Sequence, residues 1–363
     1  MTREINPKLF DYAYFRIGKA FKALEEFDEM ESHYRQFLTI REGSPRLTEA
    51  LSHLAWLKRR DGEKEEAAQL YWEAIHNYGN DPEAQAVEEM FRILAKFYRG
   101  DEGKAQYLSL LTELEAKAGN QSQKTLVARA IWMQAQLSEV ERADGLLARL
   151  PDVVQKRELS PILLADTGDA LRRLGQGDEA RECYRTILSW YPRSLFKDRS
   201  FAGLGLLARS SGQDAEALDY FDQFERETVQ SPLWAKVLEA RAEIYIDQGK
   251  WEKAIEEWSR ILEVKSAKGL PWVEALYQIG ATYQKYDQPK KAIPYYQRIY
   301  VLYRRWDQFV AKAYLESGQA FEALRMTDEA RNTYKEFLEN THLKEKPEYQ
   351  QAETRLASLG GAS

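Results

Sequence analysis

Cysteine is almost missing from this chain of 363 residues: Cys183 is the single one, which excludes an internal disulfide and any cysteine-built metal site. Histidine is nearly as scarce. His33, His53, His76 and His342 stand far apart, without a carboxylate at ligand spacing, so they read as packed or surface side chains and no metal or other cofactor is expected. No apolar run approaches the roughly 18 residues of a membrane-spanning helix, so direct membrane insertion is not expected. Charge of one sign never accumulates either: 52 basic and 58 acidic side chains are interspersed, for a net charge of -6. Nucleic acid needs a concentrated basic face and is therefore not an expected partner.

The chemistry-bearing loops are absent as well. There is neither a GxxxxGK[ST] phosphate loop nor a GxSxG nucleophile elbow, and Gly203-Leu204-Gly205 falls inside a helical pattern. The chain thus reads as a non-enzyme. Met1 to Phe10 has no apolar stretch of signal-peptide length. That suits a soluble, cytoplasmic protein by default, or a bacterial periplasmic one if an export signal has been cut away.

What the sequence does have is periodicity. Apolar residues make up 44% of it, with 21 Tyr, 14 Phe and 9 Trp, ample for a core. An acidic-small-x-x-x-aromatic phrase recurs with its small residue at Met30, Ala67, Ala105, Ala143, Ala180, Ala217, Ala254, Ala292 and Ala330. Successive steps are 37 or 38 residues, a period that marks a repeat array. Twelve residues before this anchor stands a small residue, as at Gly18, Ala55, Gly168, Gly205, Ala242, Gly280 and Gly318; four after it comes an aromatic, as at Tyr34, Tyr71, Tyr184, Phe221, Trp258, Tyr296 and Tyr334. A glycine lies five before it at Gly62, Gly100, Gly175, Gly212 and Gly249. The offsets fit two antiparallel helices: small faces large across the pair, and the later glycine closes the first helix. Units around Ala105 and Ala143 lack the aromatic and rest on spacing.

Helix starts are expected at Ser44-Pro45, Asp81-Pro82, Ser160-Pro161 and Ser231-Pro232, each an N-cap acceptor before a first-turn proline. Pro294 is expected within the first turns of its helix, with a small bend.

Gly280-Ala281-Thr282-Tyr283 and Lys291-Ala292-Ile293-Pro294-Tyr295-Tyr296 together resemble the tetratricopeptide repeat signature, although the usual period of that family is about 34 residues. The resemblance implies an all-α fold, a right-handed α-solenoid (superhelix) of about nine antiparallel helix pairs over residues 8–338. A C-terminal capping helix and tail would occupy 339–363, with Ala352, Leu356 and Leu359 on one face.

The resemblance also implies a function: a protein-protein interaction scaffold, or adaptor, holding a protein or peptide partner in a groove lined by first helices. Carried over through the repeat phase, the groove positions are Tyr12, Phe15, Lys19, Lys22, Trp56, Arg59, Trp132, Asp169, Arg172, Arg199, Arg209, Glu239, Glu243, Tyr277, Gln284 and Gln319. Trp56, Arg59, Trp132 and Arg172 are of the types that anchor interfaces. Members that bind chaperone tails use lysine, asparagine and arginine to clamp a carboxylate; here those places hold Phe15, Lys19 and His53, which does not match. The turn Trp190-Tyr191-Pro192-Arg193-Ser194 is similar to loops of bacterial envelope members. The alternative is a sensor or regulatory region of a larger enzyme or signalling protein.

Overall fold

In the computed structural model, residues 6–84 and 86–360 are described; they form helices and no strand. Two compact units divide the chain, 1–203 and 204–363. The first contains α1 (Pro7–Ala23), α2 (Phe27–Ile40), α3 (Leu47–Arg60), α4 (Lys64–Tyr78), α5 (Val87–Ala95), α6 (Gly100–Asn120), α7 (Lys124–Gln136), α8 (Val140–Ala148), the single turn α9 (Leu150–Val153), α10 (Pro161–Arg173) and α11 (Gly177–Trp190). The boundary falls inside α12 (Lys197–Ser210). The second contains α13 (Asp214–Glu227), α14 (Trp234–Asp247), α15 (Trp251–Ile261), α16 (Leu270–Lys285), α17 (Pro289–Leu302), α18 (Asp307–Ala323), α19 (Thr327–Glu339) and α20 (Pro347–Gly360). This is the all-α repeat fold of the α-solenoid class.

One contact recurs in pair after pair. A side chain added at Gly18 would put its Cβ 2.4 Å from the Tyr34 hydroxyl, and one at Gly168 would meet the Tyr184 ring at 2.8 Å; at Gly205, Gly280 and Gly318 the obstacles are Phe221, Tyr296 and Tyr334. The aromatic of the second helix thus lies directly on the backbone of the first. Tyr184 is closed from its other side by Gly203 of α12, where a Cβ would come within 2.3 Å of the ring. All these rings are fully buried, and each contributes on the order of 2–3 kcal/mol of apolar burial.

The pair α5–α6 keeps this contact in another register. Ala105 is exposed, and the buried aromatic is Tyr107, whose hydroxyl donates to the Phe91 carbonyl at 2.8 Å. The anchor of this pair is Gly103, packed on the Tyr98 backbone, two residues earlier than spacing predicts. In α8 the aromatic is replaced by buried Leu147.

The turns within pairs need one left-handed residue. Gly62, Gly175, Gly212 and Gly249 supply it with φ of 70–87°, and Glu25, Asp287 and Arg325 adopt φ of 57–60° in its place. Gly100 also has positive φ but begins α6 instead of ending α5. Of the four predicted starts, only Ser160-Pro161 sits at a helix N-terminus, and the Ser160 side chain makes no capping bond. Asp81, Ser44 and Ser231 instead close tight turns ahead of their helices, accepting from the backbone N–H groups of Glu83, Arg46 and Leu233. Pro294 lies inside α17, just past its first turn.

Two buried cations tie neighbouring elements together. Arg129 of α7, 2% exposed, donates from Nη1 to the Gly79 and Asp81 carbonyls at 2.7 and 2.9 Å and from Nη2 to the Ala84 carbonyl at 3.2 Å. Its Nε pairs with Glu88 at 3.1 Å, so one side chain satisfies three carbonyls of the connection between α4 and α5. In the second unit, Arg241 of α14 joins Glu257 of α15 at 3.0 Å and Asp222 of α13 at 2.7 Å, and Arg260 completes the cluster through Glu257 and Glu225. At the C-terminal end α20 buries Tyr349 and Ala352 and rests Leu356 and Leu359 against the cluster around Phe337.

Two glycine changes of opposite sign follow in urea unfolding. Gly205→Ala forces the Phe221 ring off its seat and should cost about 1–3 kcal/mol, whereas Gly145→Ala, in α8 with nothing within 4 Å of the new methyl, should gain about 0.5–1 kcal/mol. Arg129→Met leaves three carbonyls and Glu88 unpartnered and should destabilise by roughly 3–5 kcal/mol, read as a lower midpoint with the helical circular dichroism of the folded state unchanged.

Candidate functional site

Several first helices set polar side chains beside those of the next first helix, because equivalent positions lie one repeat apart. In the first unit the hub is Asp166 of α10. One of its carboxylate oxygens accepts from Trp132 Nε1 at 2.7 Å and Gln136 Nε2 at 3.1 Å, both on α7; the other accepts from Arg199 Nη1 of α12 at 2.7 Å. Arg199 also donates to Asp169 Oδ2 at 2.5 Å, and the other oxygen of Asp169 accepts from the Tyr184 hydroxyl. Burial disfavours the Arg199 cation, but the two carboxylates outweigh it and push its proton affinity further up. The second unit repeats the motif with different partners. Arg209 pairs with Glu243 across α12 and α14, and Gln284 Nε2 of α16 donates to Glu316 Oε2 of α18 at 2.9 Å. Burial raises the Glu316 carboxyl above its ordinary range.

Against this pattern the predicted groove residues fall into three sets. Phe15 and Trp132 lie in the core, with 1% and 0% exposure: Phe15 packs edge-on to Phe37 under Arg46, so neither ring is a surface anchor. Trp132 reaches the stripe only through its Nε1–H. Tyr12, Lys19 and Arg59 are exposed. Tyr12 stands on the wall of an open cleft of about 1120 Å³ with Lys8, Arg41, Arg46, Arg157 and Trp190, and Arg59 borders another with Lys96 and Tyr98. Trp56 is half-buried with Lys22 Nζ 3.6 Å above its ring. The third set lies along the stripe: Arg172 and Arg199 on the successive first helices α10 and α12, Arg209 paired with Glu243, and Glu239 held at 3.0 Å by Lys236 of its own helix. Tyr277 stacks near Tyr296 and Phe309, and burial pushes its hydroxyl up to about 12. Asp166, Gln136 and Glu316 were not predicted. Their signal was available: each partner lies 30–34 residues from its mate, one repeat less one or two helical turns.

Cys183, His33 and His53 are packed against other side chains, while His76 and His342 are exposed. Cys183 is buried and its thiol is pushed up to about 12, chiefly by burial, which removes the thiolate a nucleophile requires. Among the described residues no group of three His, Cys, Asp or Glu could hold a metal ion, and no helix is long and apolar enough to cross a membrane. His33 stacks on Tyr14 at 3.8 Å, and His53 stacks on Tyr34 at 4.5 Å with Glu49 4.0 Å from its Nε2. Burial, helped by Lys22, Lys19 and Arg46, lowers His53 to about 4. A base depressed in the folded state is protonated preferentially on unfolding, so its contribution is complete above pH 6.5 and is lost as pH falls towards 4. Urea midpoints should therefore decline over that window, by up to about 3 kcal/mol from this group, and His53→Gln should flatten the slope.

The tetratricopeptide repeat family matches three stretches of the chain, residues 11–43, 165–232 and 312–340. No curated protein matches it. Among solved structures it is similar to the C-terminal part of a TPR repeat-containing protein from Cytophaga hutchinsonii, 16% identical, covering 73% of this chain and 98% of that one with a TM-score of 0.54. It is also similar to the apo form of the quorum sensor NprR from B. thuringiensis (14% identical, 93% and 99% covered, TM-score 0.49) and to MamA protein (22%, 52% and 94%, TM-score 0.41). The aromatic-on-small contact is repeated in both units and the family's repeat is matched in each, so the chain contains tetratricopeptide repeats.

Proposed function

We propose that this chain is a non-catalytic protein-protein interaction scaffold whose first-helix faces, one in each unit, hold a peptide segment or a folded part of a partner protein. The observation that carries the reading is the polar stripe linking one first helix to the next. In it Asp166, Asp169 and Arg199, and separately Arg209 and Glu243, are held by one another. Side chains fixed before binding lose less entropy when a partner arrives, so their hydrogen bonds count for more. The charge at each face adds direction. Lys19, Arg59 and Arg172 of the first unit favour an acidic stretch of the partner, while Glu239, Glu243 and Glu316 of the second favour a basic one. Tyr12, Trp56 and Tyr277 supply apolar contact at the edges.

Affinity capture from the source cells with wild type and an Arg172→Ala, Arg209→Ala double variant tests this. Both side chains are partly solvent-reachable, so the unfolding midpoint should move by less than about 1 kcal/mol while recovery of the partner falls several-fold. Equal recovery by both proteins would remove the first-helix face as the binding surface.

A further inference from the structure

One helix face in this chain has the composition of a repeat interface and is uncovered among the described residues. Along α1, Leu9, Ala13, Ile17, Ala20 and Leu24 follow one another at intervals of four, four, three and four, which places them on one side of the helix. All five are exposed, Leu9, Ile17 and Leu24 by 62, 49 and 66%.

Aligned on the small residue of each first helix, with Gly18 against Ala55, Gly280 and Gly318, the positions of Ala13, Ile17 and Ala20 correspond to buried residues in every case. They are Ala50, Leu54 and Leu57 in α3, Ala275, Ile279 and Thr282 in α16, and Ala313, Ser317 and Ala320 in α18. What covers them is the preceding second helix. Ala50 and Leu54 cluster with Met30 and Phe37 of α2, and Ala275 and Ile279 with Trp258 and Ile261 of α15. The position of Arg16 corresponds to Gly203, which touches Tyr184 of the preceding α11. So α1 carries the same face as its counterparts, and among the described residues it is uncovered.

The exposed charges of α1 itself are all of one sign, and Glu25 and Glu26 follow just past its end. Lys8, Arg16 and Lys19 are exposed and form no ion pair among the described residues, and the one acid of the helix, Asp11, is buried against Arg41 and Ser44. Covering helices in this chain run antiparallel to the first helix they cover, as Arg60 at the end of α3 lying 3.6 Å over Phe27 at the start of α2 demonstrates. Most of them also begin acidic, with Asp28 and Glu29 in α2 and Asp178 and Glu179 in α11, while α17 begins with Lys290 and Lys291 instead. A helix laid on α1 in that way brings its first turn to Lys19.

We propose that the outer face of α1 is a docking site for an amphipathic helix of a partner protein, one with an apolar stripe and an acidic first turn, seated antiparallel to α1 as a second helix sits on the next repeat. A second copy of this chain fits poorly, because two α1 helices related by a two-fold axis would oppose Arg16 and Lys19 to their own images. A lipid surface fits poorly too, since two of the five positions in the stripe are alanine and insert little apolar area. Apart from Lys19, which borders both, this face is separate from the polar stripe between first helices.

The probes are two stapled helical peptides of identical apolar face, one with glutamates and one with lysines flanking its first two turns, titrated by fluorescence anisotropy. The glutamate peptide should bind at least tenfold more tightly than the lysine peptide. Ile17→Glu should weaken it at least tenfold without moving the unfolding midpoint, Arg16→Glu with Lys19→Glu should invert the preference, and Arg172→Ala should leave it alone. Equal binding of the two peptides, or glutamate-peptide binding indifferent to Ile17→Glu, overturns the proposal. So does a dimer, seen in sedimentation, that Ile17→Glu converts to monomer, and so does displacement of the peptide by anionic phosphatidylglycerol vesicles.

Discussion

A ring resting on bare backbone is the contact from which the rest of this fold follows. Tyr34, Tyr184, Phe221, Tyr296 and Tyr334 each occupy the space a side chain would have filled on the paired first helix. The separation between ring and glycine is always sixteen residues, which fixes the turn length, the helix length and the antiparallel phase together. Where a first helix offers Ala55 or Ala242 instead, the ring is still fully or almost fully buried, as at Tyr71 and Trp258. Where it offers Phe91, the ring of Tyr107 moves aside and spends its hydroxyl on the backbone carbonyl. The contact tolerates variation in its partner as long as the aromatic finds a wall.

That tolerance explains what was legible in the sequence and what was not. Period, helix pairing and the terminal helix were readable because they depend on Gly, Ala and aromatic residues at fixed offsets. The third pair was misphased by two residues because Ala105 has the right identity at an exposed place, while Gly103 and Tyr107 do the packing. Helix starts were misread at Ser44, Asp81 and Ser231 because a side chain that accepts from the second N–H downstream closes a turn as well as it caps a helix. Among candidate site residues, Phe15 and Trp132 were drawn outward by their chemistry, though a large ring one helical turn from a packed position is pulled into the core by its own area. Asp166, Gln136 and Glu316 are not legible within a single repeat, because Asp166 and Arg199, or Gln284 and Glu316, complete each other only between repeats.

The buried cations divide into two kinds by what surrounds them. Arg129 and Arg241 are enclosed, and their partners are backbone carbonyls or a cluster of acids on packed helices. Their work is architectural, since removing the cation would strand buried acceptors. Arg199 and Arg209 are about a quarter exposed at the side chain and lie on the first-helix face proposed above to hold a partner. Position within the repeat, more than residue type, separates the two roles.

Tyr184 joins these roles in one side chain. Its ring is held between Gly168 and Gly203, and its hydroxyl steadies Asp169, the partner of Arg199. A molecule that engages Arg199 therefore acts on a chain of contacts ending in the ring that locks α10 to α12. Occupancy and folding become linked equilibria: ligand held by the folded form alone adds RT ln(1 + [L]/Kd) to its stability. The core of this protein thereby reports on its surface, and resistance to unfolding becomes a measure of occupancy whatever the chemical nature of the occupant.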